Sequence, residues 1–355
     1  MADEAVSRLN PVSARALHSN AFVFDGHNDL AGPLRRGESL DDRAGRGHMD
    51  LKRMREGGLS GGIFAVFIDP AEDDAPGRTR DGVAQLHHQL DSHPDFRVVL
   101  TADELSPEAD DGRIAAVIGV EGGYAIDNDL GVVDDLFDAG MRCLTLTWND
   151  PTAWADAADN EEHGGLTSFG GRLVDRLFRL GVLVDLSHAS DRTIDDVLER
   201  ADRPVVSSHA GMRRLAPLPR NVSDKHLEAI AETGGLTGVS FFNGHLDADF
   251  EDRCTPLRAR QFDDTEELAR AVLAEVGTLP MSAVVDHVSH AVRIVGVRHV
   301  GLGADFDGMW ALPEGLADVS YLPDLSAALA DLFDADGLTA FLGANWRRVL
   351  RASLP

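Results

Sequence analysis

A short apolar run, Phe22-Val23-Phe24-Asp25-Gly26, ends in His27-Asn28-Asp29. Side chains two apart on a strand point the same way, so His27 and Asp29 leave the strand end together, an imidazole beside a carboxylate. That is half of a metal site. Further candidates recur at equivalent places: Glu121 after the run 114–120, His188 after 182–187, His209 after 205–208 and Asp305 after 299–304. Three imidazoles with two or three carboxylates suit zinc and exceed the three protein ligands of one catalytic zinc, so the count calls for two ions. In a two-metal site with ions roughly 3.5–4 Å apart a carboxylate commonly bridges them, and Glu121 is the candidate.

Residues so far apart in the chain meet only if strand ends converge. Eight β-branched or apolar runs, at 21–25, 61–68, 114–120, 142–147, 182–187, 205–208, 236–242 and 299–304, alternate with helical patterns. That alternation predicts a parallel sheet, most economically an α/β fold of the (β/α)8 TIM-type barrel class, whose active site lies at the C-terminal ends of the strands. The whole chain, 1–355, reads as one domain with an insertion at about 244–279. Some hydrolases on this barrel bridge their metals with a carboxylated lysine; that variant is excluded, because Lys52 and Lys225, the only lysines, fall in or beside helical segments. His287 and His290 stand i,i+3 on a helix without a matching carboxylate and read as a solvated face. His163 lies in the long polar loop opened by Trp148-Asn149-Asp150-Pro151 and stays in reserve.

A formal charge of −27, from 33 basic and 60 acidic residues, argues against nucleic acid and anionic membranes as partners. The two cysteines, Cys143 in an apolar run and Cys254 in a polar loop, imply no disulfide framework. Met1-Ala2-Asp3-Glu4 does not read as a secretion leader, and no run of about 18 apolar residues occurs. The expectation is a cytoplasmic protein.

The motifs Asp25-Gly26-His27-Asn28-Asp29-Leu30, Gly119-Val120-Glu121-Gly122-Gly123, Asp185-Leu186-Ser187-His188, Ser208-His209, Arg220-Asn221-Val222 and Gly303-Ala304-Asp305-Phe306-Asp307-Gly308 extend over nearly the whole chain. In them the sequence resembles the membrane (renal) dipeptidases, metallopeptidase family M19 of the amidohydrolase superfamily. The resemblance implies a distorted barrel with a dinuclear zinc centre, two Zn2+ per chain, that cleaves dipeptides and often tolerates a D-residue on the C-terminal side. It assigns His27 and Asp29 to one zinc, His188 and His209 to the other, and Glu121 to the bridge. Asp305 matches the family's acid/base and Arg220 its substrate-carboxylate ligand. Where animal members carry a substrate-contacting histidine after the fourth strand, this chain has Trp148 followed by Asn149; these two are the substrate-binding candidates there, and either Asn149 or another residue of the loop supplies the polar contact or the metals polarise the carbonyl unaided.

The chemistry implied is attack on a peptide carbonyl by a water activated between the metals, with small dipeptides as partners and a homodimer as an allowed assembly. The competing readings are another dinuclear amidohydrolase, acting on lactones, phosphoesters or cyclic amides, and a metal-binding scaffold without turnover.

Overall fold

The computed structural model describes residues 8–72, 74–262 and 265–355. Its nine strands are β1 (Val23–Asn28), β2 (Leu59–Phe67), β3 (Phe96–Val98), β4 (Ile114–Glu121), β5 (Met141–Thr145), β6 (Leu183–Asp185), β7 (Val206–Ala210), β8 (Leu236–Val239) and β9 (Val300–Leu302). All neighbouring pairs are parallel, and β2 pairs directly with β4 from Gly61–Ala115 to Phe67–Glu121. That pairing closes eight strands into a TIM barrel, in the ring order β1, β2, β4, β5, β6, β7, β8, β9. The ninth strand, β3, corrects the expected eight: its three residues lie against Ile114–Ala116 and extend the sheet outside the ring.

Alternation divides each strand between two cores. Ala116, Ile118, Leu144 and Val184 belong to the large cluster shared with the surrounding helices, whereas Ala115, Val117, Cys143, Leu183, Val206 and Leu236 form a second cluster inside the ring. Trp346 of the C-terminal helix Asn345–Ser353 joins the inner cluster and donates its indole N–H to Leu302 O at 2.8 Å. With both faces covered, β4 is buried at every position, which explains its nearly continuous apolar sequence. Helix ends follow local chemistry: Thr167 caps Ser168–Leu180, and Gly181 ends it with φ 76°, a left-handed conformation glycine adopts without a Cβ penalty.

Between β8 and the helix Ser282–Val295 the chain forms three helices, Asn243–Leu246, Phe250–Arg258 and Thr265–Glu275. The last two share a small core of Phe250, Cys254, Leu257 and Val272 with Ala311. Cys254 is therefore buried on a helix, not in a polar loop. His287 and His290 also differ from expectation, for both are buried. His287 Nδ1 accepts the Met212 N–H at 2.8 Å and its Nε2 donates to Leu246 O at 3.2 Å, while His290 Nε2 lies 2.7 Å from Asp224. Among the described residues no helix is long and apolar enough to cross a membrane.

Candidate active site

Inward alternation that is apolar at the floor becomes polar at the mouth. On β4, Ala115 and Val117 are followed two and four positions on by Gly119 and Glu121, so the Glu121 carboxylate stands at the top of the inner face. His27 is in β1 and His209 in β7; Asp29, His188 and Asp305 follow their strands within three residues. The end of β1 is tied to the segment after β9, since Asp29 N–H donates to Phe306 O and Asp305 N–H to His27 O. A Cβ at Gly308 would collide with the Asp29 and Asp305 carboxylates, which is why that turn ends in glycine. His188 (φ 66°) and Asp305 (φ 63°) are held in the left-handed region, a strain of order 1–3 kcal/mol each that clusters at functional sites.

The residues meet in two groups on either side of Glu121. Its Oε1 lies 3.1 Å from His188 Nε2 and 3.4 Å from His209 Nε2, and these two nitrogens are 3.1 Å apart. On the other side His27 Nε2 is 3.6 Å from Glu121 Oε1 and 3.4 Å from Asp29 Oδ2. Four ligands at zinc's 2.0–2.1 Å bond lengths stand roughly 3.3 Å apart along a tetrahedron's edges, so the triangle of Glu121, His188 and His209 has the size of a ligand face and the two His27 contacts have the length of such edges. Asp305 completes a second triangle with His27 and Asp29.

Outer partners turn bare nitrogens inward. Ser208 gives its hydroxyl proton to Asp185 Oδ2 at 2.6 Å, so its oxygen receives the Nδ1–H of His209 at 2.8 Å and leaves His209 Nε2 unprotonated. Asn149 Oδ1 can only accept, which places a proton on His188 Nδ1, 3.2 Å away, and again frees Nε2. The buried Nε2 of His27 has no hydrogen-bond partner. Two facing lone pairs and an orphaned imidazole nitrogen beside carboxylates fit divalent cations, with the outer hydrogen bonds that fix metal-binding histidines. Asp185 also comes within reach of His27 and His209, but it is no ligand: its oxygens already accept Thr145 Oγ1, Ser208 Oγ and the amides of Ser187 and Ser208.

The same crowding shapes the charges. Burial opposes a proton on His27, yet Glu121 and Asp29 outweigh it and raise its pKa well above normal. Burial lowers His188 to about 4 and takes His209 well below its usual range. Burial would raise Glu121, but the three imidazoles hold it well below the ordinary value. Asp305 is raised well above it by burial, with Asp29 and Glu121 adding to the effect.

The cluster opens into a cavity of about 970 Å³ lined by Trp148, Asn149, Arg220 and Asp305, among others. Arg220 donates from Nη2 to His209 O at 2.9 Å, while its buried Nε and Nη1 have no partner. Asn221 fixes the loop behind it by accepting the Gly211 N–H and donating to Ala216 O and His245 O. Trp148 packs on Phe67 with ring centroids 4.7 Å apart and forms an apolar wall, whereas Asn149 is turned onto His188. His163 bonds to Thr152 O, away from the cavity lining. Lys52 lies on the helix Leu51–Glu56 and Lys225 pairs with Asp195, so neither lines the cavity.

Sequence reasoning gave no role to Asp185, Ser208 or Asn221, although all three sit inside its motifs; only their contacts show what they orient. It singled out neither His48 nor His245. His245 lines the cavity and meets Ser240 Oγ at 2.9 Å, and His48 accepts the Asp307 N–H at 2.9 Å. Asp307 in turn binds Arg43 at 2.7 Å and the His48 N–H at 2.7 Å, fastening the loop 43–48 to the turn that carries Asp305.

Residues 12–353 match the sequence pattern of a family described as membrane dipeptidase, Peptidase family M19. Dipeptidase 3 of Mus musculus is 32% identical over 358 residues, and that of Rattus norvegicus 31% over 360. Each alignment covers 95% of this chain and 66% of the relative, so the chain spans just under two thirds of the length of these curated relatives. Among solved structures, a metallopeptidase from Rhodobacter sphaeroides, crystallised with a phosphinate mimic of the dipeptide L-Ala-D-Ala, superimposes with a TM-score of 0.78 at 30% identity, covering 94% of this chain and 99% of that one. The dipeptidase AC of family M19 gives 0.80 at 31% identity over 94% of this chain and 98% of its own.

Proposed function

This chain belongs to the membrane dipeptidase family, peptidase family M19, and from that premise we propose that it is a dinuclear zinc dipeptidase acting on L,L- and L,D-dipeptides. The observation that carries the reading is the Glu121 carboxylate set among three imidazoles, with the bare nitrogens of His188 and His209 turned inward, beside a buried guanidinium with two unused donors. His27 and Asp29 would hold one ion, His188 and His209 the other, and Glu121 both. Ions held there supply an acidified water and a Lewis acid for the scissile carbonyl.

The remaining steps belong to the protein's own groups. Arg220 grips the substrate's terminal carboxylate through Nε and Nη1, a planar bidentate match that fixes the peptide bond over the cluster. Asp305, whose buried carboxyl holds a proton readily, takes the one released by the attacking water and passes it to the leaving amine. Asp185 through Ser208, and Asn149 directly, keep the two imidazoles in their working tautomers. Trp148 walls one side of the cluster and excludes water there.

The test is a panel of L,L- and L,D-dipeptides, free and C-terminally amidated, assayed beside lactones, phosphoesters and cyclic amides. Free dipeptides should be cleaved and amidated ones poorly; Arg220→Ala should lower kcat/KM for free dipeptides by roughly 2–4 kcal/mol and affect amidated ones little. Equal cleavage of free and amidated dipeptides would remove the carboxylate grip. Turnover confined to a non-peptide substrate would overturn the assignment.

A further inference from the structure

The cavity wall holds a second guanidinium that, among the described residues, has no acid paired with it. Arg35 ends the short helix Ala31–Arg35 and is half-buried. Its Nη1 donates to the carbonyl of Phe67, the last residue of β2, at 3.2 Å. Among the described residues no carboxylate is ion-paired with it, whereas the other arginines of the wall, Arg36, Arg78 and Arg258, face Glu38, Glu72 and Glu251. Arginines without a carboxylate ion pair, such as Arg142 and Arg348, which bond to carbonyls, occur elsewhere in the fold, but among the described arginines of the cavity wall Arg35 shares that state with Arg220 alone. Its stem is held in place: it runs beside Gly82 of the helix Ala75–Asp91, where a Cβ would stand 3.6 Å from Arg35 Cδ and 2.8 Å from Val66 Cγ1.

Its place in the ring decides what it can meet. Arg220 is anchored on β7 through His209 O and Arg35 on β2 through Phe67 O, and these strands stand opposite each other among the eight. Eight strands about 4.8 Å apart and tilted by about 36° enclose a ring roughly 15 Å across. Both guanidiniums line the same cavity as Glu121. A dipeptide gripped at Arg220 by its terminal carboxylate, with its scissile carbonyl over Glu121, sends its N-terminal residue toward β2. Extended backbone covers only about 3.5 Å per residue, so the far wall is reached by the side chain of that residue. Resting on the dipeptidase reading, we propose that Arg35 forms an anion subsite for this side chain, so that the preferred dipeptides begin with glutamate or aspartate.

The charge balance of the wall points the same way. Seven carboxylates and five arginines line the cavity, and two divalent cations turn that lining net positive, favouring a substrate with an extra negative charge. A guanidinium satisfied by one carbonyl keeps most of its five donors for a carboxylate.

The experiment compares an isosteric pair, L-Glu-L-Ala and L-Gln-L-Ala, on the metal-loaded protein, with kcat/KM for hydrolysis and calorimetric Kd for the two matching phosphinate isosteres. The unmodified protein should favour the glutamyl member about tenfold or more in both readouts. Arg35→Gln should bring both ratios near one, and Arg35→Lys, which keeps the charge and most of the stem, should retain part of them. Equal treatment of the pair by the unmodified protein overturns the subsite, as does a preference that survives Arg35→Gln; hydrolysis would then still uphold the dipeptidase reading. Arg35-dependent preference for the glutamyl phosphinate without turnover of any dipeptide does the reverse, supporting the subsite and sinking the activity.

Discussion

Glu121 is the residue on which the account depends, because its Oε1 stands within 3.6 Å of all three imidazoles. Glu121→Gln should lower the metal content below two per chain together with activity, since a neutral amide cannot neutralise two dications. Elemental analysis showing two ions in the variant would remove Glu121 from the bridging role. Asp305→Asn separates catalysis from binding: metal content should stay near two while kcat falls by roughly 10²–10⁴, the range for losing a positioned general base. Loss of one ion instead would make Asp305 a ligand, a role its proximity to His27 and Asp29 leaves open to test. All of these residues were legible in the sequence because histidine and carboxylate at strand ends carry position and chemistry at once. Asp185, Ser208 and Asn221 were not, since a serine or an asparagine acquires a role only from what it touches. Arg35 escaped notice for the opposite reason, being one of many arginines and marked only by the absence of an acid beside it.

Elements were legible where their patterns were long. β4, with eight buried residues, and the helix Ser168–Leu180 between its threonine cap and Gly181 follow directly from composition and punctuation. β3, with three residues, is too short for any periodicity to show, and Cys254 looked like loop because the helix Phe250–Arg258 contains a proline and many charges. The helix Ser282–Val295 presents polar histidines to other protein elements instead of water, which periodicity alone does not distinguish. That placement has a pH signature. Burial lowers the pKa of His287 to about 4, against about 6.5 for an unfolded histidine. Between those values the unfolded chain binds a proton that the folded one refuses, so stability is full above about pH 6.5 and declines as pH falls toward 4, by roughly 3 kcal/mol at most from this group. Urea midpoints at pH 7 and pH 4.5 should therefore differ less in His287→Gln than in the unmodified protein. An identical pH dependence in both would show that the imidazole is charged in the fold.

At the scale of the whole molecule, closure of the eight-strand ring gathers residues from position 27 to position 305 into one pocket, and the count of β runs was enough to anticipate it. What the sequence could not convey is how tightly the pocket packs unlike groups: the Glu121 pKa is pushed down by the imidazoles, while burial pushes that of Asp305 up and those of His188 and His209 down, all within one buried cluster. Cations that bind the folded cluster and not the unfolded chain stabilise the fold by mass action, so removing them should lower the melting temperature as well as the activity. The central claim is tested most directly by titrating zinc back into chelator-treated protein, with bound metal and the hydrolysis rate of one dipeptide such as L-Ala-D-Ala followed on the same samples. The account predicts negligible cleavage without metal, full activity restored by the second equivalent, and saturation at two per chain. Cleavage that persists in metal-free protein, or two bound ions with no cleavage of any dipeptide, would contradict it.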